Sequence, residues 1–256
     1  MTAEETMSPS LGVQLYTVRE EIAADRPGTF AALAGFGYRL VECYDVLTDP
    51  EALRADLDAA GLAAGSVHAH VLADPERAEA AFRGARTVGA DTVFVPYQPP
   101  ERFADADAVR AVAGELAEAA KRAAGHGLAL GYHNHEFELA QHVGGVPALE
   151  VLADLLAGQD APVQLEVDTY WAAVGGQDVP ALLGRLGDRV THLHIKDGPV
   201  TKDDPMTAVG TGRMPVEAVL AAGAGARRHI VELDRCATDM LTAVRDSLAW
   251  LEGKSR

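Results

Sequence analysis

Six of the nine histidines in this 256-residue chain fall in three His-x-His pairs: His68 with His70, His133 with His135, and His192 with His194. In an extended strand, side chains two apart leave on the same side, so each pair can aim two imidazoles at one place. Charged residues recur beside them and in similar runs. They are Glu42 in Val41-Glu42-Cys43-Tyr44, Glu136 and Glu138 after His135, and Glu166 and Asp168 in Glu166-Val167-Asp168-Thr169-Tyr170-Trp171. Lys196 and Asp197 follow His194, and the set closes with Glu232 and Asp234 in Val231-Glu232-Leu233-Asp234. Neutral nitrogen and anionic oxygen brought together form a donor set for a divalent metal. One such residue alone is more often a core, rim or capping residue; six strand ends carrying them point to a site. His126, His142 and His229, in a helix-ending turn, a loop and a strand start, are read as structural or solvated.

The elements that would have to position these residues follow from hydrophobic patterning. Short apolar, β-branched runs stand at Leu11–Leu15, Arg39–Tyr44, Ala63–His68, Asp91–Val95, Leu128–His133, Val163–Asp168, Val190–His194 and His229–Glu232. Between and after them lie helical patterns at Thr29–Ala34, Pro50–Ala60, Pro75–Val88, Ala104–Gly125, Val146–Leu156, Val179–Leu186, Val216–Ala222 and Ala237–Leu251. Strand and helix alternating from end to end predict βαβ units and a parallel sheet. Eight units predict a closed (β/α)8 TIM barrel, α/β in class, whose functional residues sit at the C-terminal ends of its strands. An open doubly wound sheet would normally carry a glycine-rich phosphate loop after an early strand, and Leu15-Tyr16-Thr17-Val18-Arg19 is not one. The expected organisation is a flexible N-terminus over 1–10 and a single barrel domain over 11–256.

Composition narrows the partners. With 38 Asp and Glu against 22 Lys and Arg, the formal charge is −16, which disfavours nucleic acid and anionic membranes. Cys43 and Cys236 are too few and too far apart for a disulfide framework. Met1 to Ser10 lacks the basic and apolar regions of a secretory signal, and no apolar run approaches a membrane span, so a cytoplasmic protein is expected. A homo-oligomer is compatible with all of this.

At these residues the sequence resembles the sugar phosphate isomerase/epimerase family, the xylose-isomerase-like barrels, from Gly12-Val13-Gln14-Leu15-Tyr16 to Ile230-Val231-Glu232. Its most specific stretches are Gly131-Tyr132-His133-Asn134-His135-Glu136-Phe137-Glu138, Val167-Asp168-Thr169-Tyr170-Trp171 and His192-Leu193-His194-Ile195-Lys196-Asp197-Gly198. The resemblance implies a metal, Mn2+, Mg2+, Co2+ or Zn2+, held by Asp168, His194 and Glu232 and by one residue after strand 5. Relatives often read Glu-Asn-His where this chain reads His133-Asn134-His135, so either His133 or Glu138 takes that fourth place. It also implies proton transfer next to a carbonyl of a small carbohydrate, with Glu232 as ligand and base and His133 or Glu138 as a second base. Lys196 would stabilise enolate oxygen or bind a phosphate or carboxylate. Gln14, Glu42, His68, His70, His135, Trp171 and His192 are the expected substrate contacts. Trp171 stands where some epimerase relatives carry a substrate-binding histidine. An inosose-dehydratase-like lyase and a non-catalytic sugar-binding subunit are the rival readings. The nuclease branch of the superfamily is opposed by the charge.

Overall fold

Runs of four to six apolar and β-branched residues, each closed by a turn, become eight parallel strands in the computed structural model of the chain. The structure describes residues 9–157 and 162–254. The strands are β1 (Ser10–Gln14), β2 (Leu40–Cys43), β3 (Ala63–His68), β4 (Thr92–Val95), β5 (Ala129–His133), β6 (Val163–Asp168), β7 (Val190–Ile195) and β8 (Arg228–Val231). Each pairs with its neighbours in sequence, and β1 pairs with β8, Val13 beside Val231, which closes the barrel. The outer helices are α1 (Arg19–Phe36), α2 (Pro50–Ala60), α3 (Pro75–Val88), α4 (Ala106–Gly125), α5 (Ala148–Leu156), α6 (Val179–Leu186), α7 (Val216–Ala222) and α8 (Met240–Lys254). Of the flexible N-terminus expected over 1–10, residues 1–8 lie outside the described residues. Ser10 already belongs to β1, its N–H donating to the Arg227 carbonyl at 2.9 Å.

Local chemistry explains the sharp helix boundaries. Asp49 and Asp74 accept backbone N–H groups at the starts of α2 and α3, and a proline follows each at the first helical position. Gly61 (φ 72°) and Gly89 (φ 91°) end the same helices in the left-handed region that a side chain would strain. Helix α1 is longer than the Thr29–Ala34 expected from periodicity. Its backbone breaks at Asp25 (φ −155°, ψ 89°), and Asp25 Oδ1 accepts the Gly28 N–H at 3.0 Å, just past Pro27. That interruption hid the first turns from a periodic reading. Val146 and Pro147, expected to open a helix, instead pair with His142 and Val143 in a small hairpin, and α5 begins at Ala148.

The barrel interior has a polar upper layer, and beneath it the Phe94 ring packs against His192. Gly131 lacks the side chain that would collide with the ring of Phe94, which fills the barrel at that level. Above it Gln14, Glu42, Glu166, Asp168 and His194 are all fully buried. Barrel interiors are normally packed with branched apolar residues. A buried layer of charge survives only if its members satisfy one another. Among the described residues no helix is long and apolar enough to cross a membrane.

Candidate active site

Parallel pairing brings the polar strand ends to one level. His133 on β5 lies beside Glu166 on β6, and Asp168 at the end of β6 lies beside His194 on β7. Glu232 follows β8 directly. His133, Asp168, His194 and Glu232 can each offer one ligand atom with all four atoms within 4.8 Å of one another. Two carboxylates and two imidazoles fit Mn2+, Co2+ or Zn2+ in donor type. Asp168 Oδ2, fully buried, accepts no aligned hydrogen bond; the Lys196 ammonium lies 2.7 Å and His133 Nε2 3.9 Å from it. The residues present therefore could hold a divalent cation. His68, His133, Glu166 and His194 form an overlapping second group.

His194 is held on both sides. Its Nδ1 lies 2.7 Å from Glu232 Oε2 and its Nε2 lies 2.7 Å from Glu42 Oε1 and 3.3 Å from Glu166 Oε2. His68 Nε2 lies 2.6 Å from Glu166 Oε2 and 3.1 Å from Glu42 Oε1. Burial alone would lower its pKa, but the Glu42 and Glu166 carboxylates outweigh burial and raise it to about 10. Burial opposes the charged form of His194 as well, and Glu166, Glu232 and Glu42 together hold it well above the usual histidine range. His133 goes the other way. Burial pushes it down to about 3 despite its contact with Glu166. Burial likewise raises Asp168 to about 6 against the pull of Lys196. His133 is thus held down by burial and by the neighbouring His194 and His68, while those two are held up by the carboxylates around them.

Above this layer opens a cavity of about 510 Å³, lined by His68, His70, His133, His135, Lys196, Glu232 and Asp234 and by Tyr16, Tyr44, Pro96 and Tyr97. The structure therefore brings together nearly all the residues singled out from sequence, but in different layers. His70 and His135 reach the cavity; burial lowers His135 to about 4. Gln14 and Glu42, expected against substrate hydroxyls, lie under the site, where Gln14 Nε2 donates to Glu42 Oε1 at 2.8 Å. His192 also faces inward, one layer deeper, between Phe94 (ring centroids 4.7 Å apart) and Arg228. Trp171 is 7% exposed and backs Lys196, whose Nζ lies 5.5 Å from the ring. Glu138 is turned away from the quartet. Its Oε1 accepts from the Tyr132 hydroxyl at 2.7 Å and its Oε2 from the His135 N–H at 2.9 Å, leaving His133 as the β5 member.

Sequence reasoning gave no role to Glu166, which joins His68, His133 and His194. Its signal was there: it stands two residues before Asp168 in one strand and so shares its side. The tyrosine wall carried no sequence signal, since single tyrosines after strands are commonplace.

Comparison with known proteins agrees with the barrel fold. A family model described as the xylose isomerase-like TIM barrel matches residues 30–253. An uncharacterized protein of Mycobacterium leprae is 29% identical over 269 aligned positions, covering 91% of this chain and 92% of that protein. A sugar phosphate isomerase/epimerase from Parabacteroides distasonis superposes with a TM-score of 0.80 at 23% identity, over 98% of this chain and 96% of its own. A D-allulose 3-epimerase from Methylomonas sp. does so at 0.71 and 17%, over 96% and 98%. A probable 3-DHS dehydratase from Bacillus anthracis gives 0.74 at 10%, over 96% and 99%. At such identities the structural likeness is one of fold. The family model, spanning most of the chain and every strand after the first, says more: the chain belongs to the xylose isomerase-like TIM barrel family.

Proposed function

We propose that this chain is a divalent-metal-dependent isomerase or epimerase that moves a proton at a carbon next to a carbonyl in a sugar, keto-sugar or related polyol. The observation that carries the reading is the quartet His133, Asp168, His194 and Glu232 at the floor of a cavity of small-carbohydrate size. Bound there, the metal would supply Lewis-acid polarisation of the carbonyl and the adjacent hydroxyl. Glu232, on the cavity wall, takes the proton. His133, kept neutral by burial, would offer a ring nitrogen to the metal while its Nδ1 faces Glu166. Lys196 donates to the oxygen on which charge develops.

The cavity also bears on substrate class. Tyr16, Tyr44 and Tyr97 give the cavity aromatic lining suited to the C–H side of a sugar, and the Tyr16 and Tyr44 rings pack edge to face with centroids 5.5 Å apart. Among the described residues no arginine lines it, and its lining carries one lysine against the carboxylates of Glu232 and Asp234. This favours an unphosphorylated substrate.

The test is a screen of the metal-replete protein against sugars, inososes, keto-sugars and their phosphates in deuterated water, read as exchange at carbon. Exchange is expected with an unphosphorylated compound and should stop on chelation. Exchange that survives complete metal removal would reject metal dependence, and no exchange across all the classes would reject the reaction.

A further inference from the structure

The two carboxylate oxygens that face the proposed metal quartet already have a cation between them. Lys196 Nζ lies 2.7 Å from Asp168 Oδ2, 2.6 Å from Glu232 Oε2 and 2.8 Å from Asp234 Oδ2. Each of these oxygens also faces an imidazole of the quartet: Glu232 Oε2 is 2.7 Å from His194 Nδ1, and Asp168 Oδ2 is 3.9 Å from His133 Nε2. Lys196 is 1% exposed, so its charge has no water to fall back on. Like charges a few ångströms apart in a buried setting repel strongly. An ammonium and a divalent cation therefore cannot both keep these two oxygens.

The third partner differs from the other two. Asp234 is outside the quartet, and its side chain is 28% exposed against 0% for Asp168 and 7% for Glu232. Lysine is a compact charge on a flexible four-carbon stem, well suited to move between neighbouring carboxylates.

We propose that Lys196 is a built-in rival of the metal. Its ammonium neutralises Asp168 and Glu232 when no metal is bound, yields both oxygens when a divalent cation enters, and stays with Asp234 at the cavity wall. The inference rests on the metal reading above and adds a consequence: metal affinity is a difference between the quartet's gain and the ion pairs given up. Asp234 raises that affinity by giving the displaced ammonium somewhere to go.

The test is Mn2+ titration of EDTA-treated protein, read by the electron paramagnetic resonance of free Mn2+. The chains compared are wild type, Lys196→Met, Asp234→Asn and the double variant. Lys196→Met should bind Mn2+ about tenfold or more tightly than wild type, the size of effect expected when a close buried ion pair no longer has to be broken. Asp234→Asn should bind it several-fold more weakly, and that loss should vanish in the Lys196→Met background. A through-space effect of the Asp234 charge would persist there and would overturn the proposal. So would unchanged or weaker Mn2+ affinity in Lys196→Met, or unchanged or tighter affinity in Asp234→Asn. If Lys196→Met does not fold without metal, Lys196→Gln, which keeps a polar head without the charge, takes its place in the single and double variants and the same outcomes decide. Absence of Mn2+ binding in wild type and all variants would instead reject the metal reading itself.

Discussion

His194 Nε2 lies 2.7 Å from Glu42 Oε1, although the two residues are 152 positions apart and both are fully buried. The opposite ring nitrogen lies 2.7 Å from Glu232 Oε2. Glu42 thus orients the imidazole from behind, the role that carboxylates play behind metal-binding histidines. Glu42→Gln should keep the fold and lower Mn2+ affinity about 10–100-fold. Titration of the purified variant checks this, and an unchanged affinity would remove Glu42 from the support of the site.

Glu232 and Glu138 separate cleanly as candidate bases. Burial pushes Glu138 up to about 8, and its oxygens are taken by Tyr132 and the His135 N–H. Glu232→Gln should retain metal yet lose about 10²–10⁴ in turnover, the usual contribution of a general base. Glu138→Gln should stay within about tenfold of wild type, since an amide can still meet both partners. Proton exchange in deuterated water, with metal content measured in parallel, compares the two. The reverse ranking would move the base to Glu138.

Asp197 organises the loop that closes over β7. Its Oδ1 accepts from the N–H groups of Gly198 and Met214 and its Oδ2 from those of Gly210 and Gly212, at 2.8 to 3.0 Å. Asp197→Ala leaves four donors without an acceptor and should cost about 2–4 kcal/mol of stability. Denaturant unfolding measures the loss. A change below about 0.5 kcal/mol would mean that water replaces the carboxylate there.

His229, at the start of β8 and away from the candidate site, supplies a pH test. Burial lowers its pKa below the usual histidine value, against a weaker opposing contact with the Gly223 carbonyl. Below about pH 6.5 the unfolded chain therefore binds more protons at this position than the folded chain does. Stability contributed here is present above that pH and is lost as pH falls toward the lowered folded value. His229→Leu should lose less melting temperature than wild type between pH 7.5 and 5.5, measured by calorimetry. Equal losses in the two proteins would contradict the assignment.

What the sequence determined by itself was the alternation and the direction of side chains. Eight β-branched runs and eight helical patterns are local signals, reinforced by caps such as Asp74 with Pro75 and by Gly89 at a helix end. The period of two in a strand put both histidines of each pair on one side, so the polar mouth was legible before any coordinates. Depth was not. His192 and His194 face the same interior, yet only the pairing of β7 with β6 and β8 sets His194 beside Asp168 and leaves His192 a layer below, near Arg228. Which way Glu138 turns depended on a hydrogen bond from Tyr132, and the state of Lys196 on three carboxylates from other strand ends. Those are contacts between residues on different strands or turned back over a loop. Register and closure of the barrel create them, through packing among elements far apart in the chain.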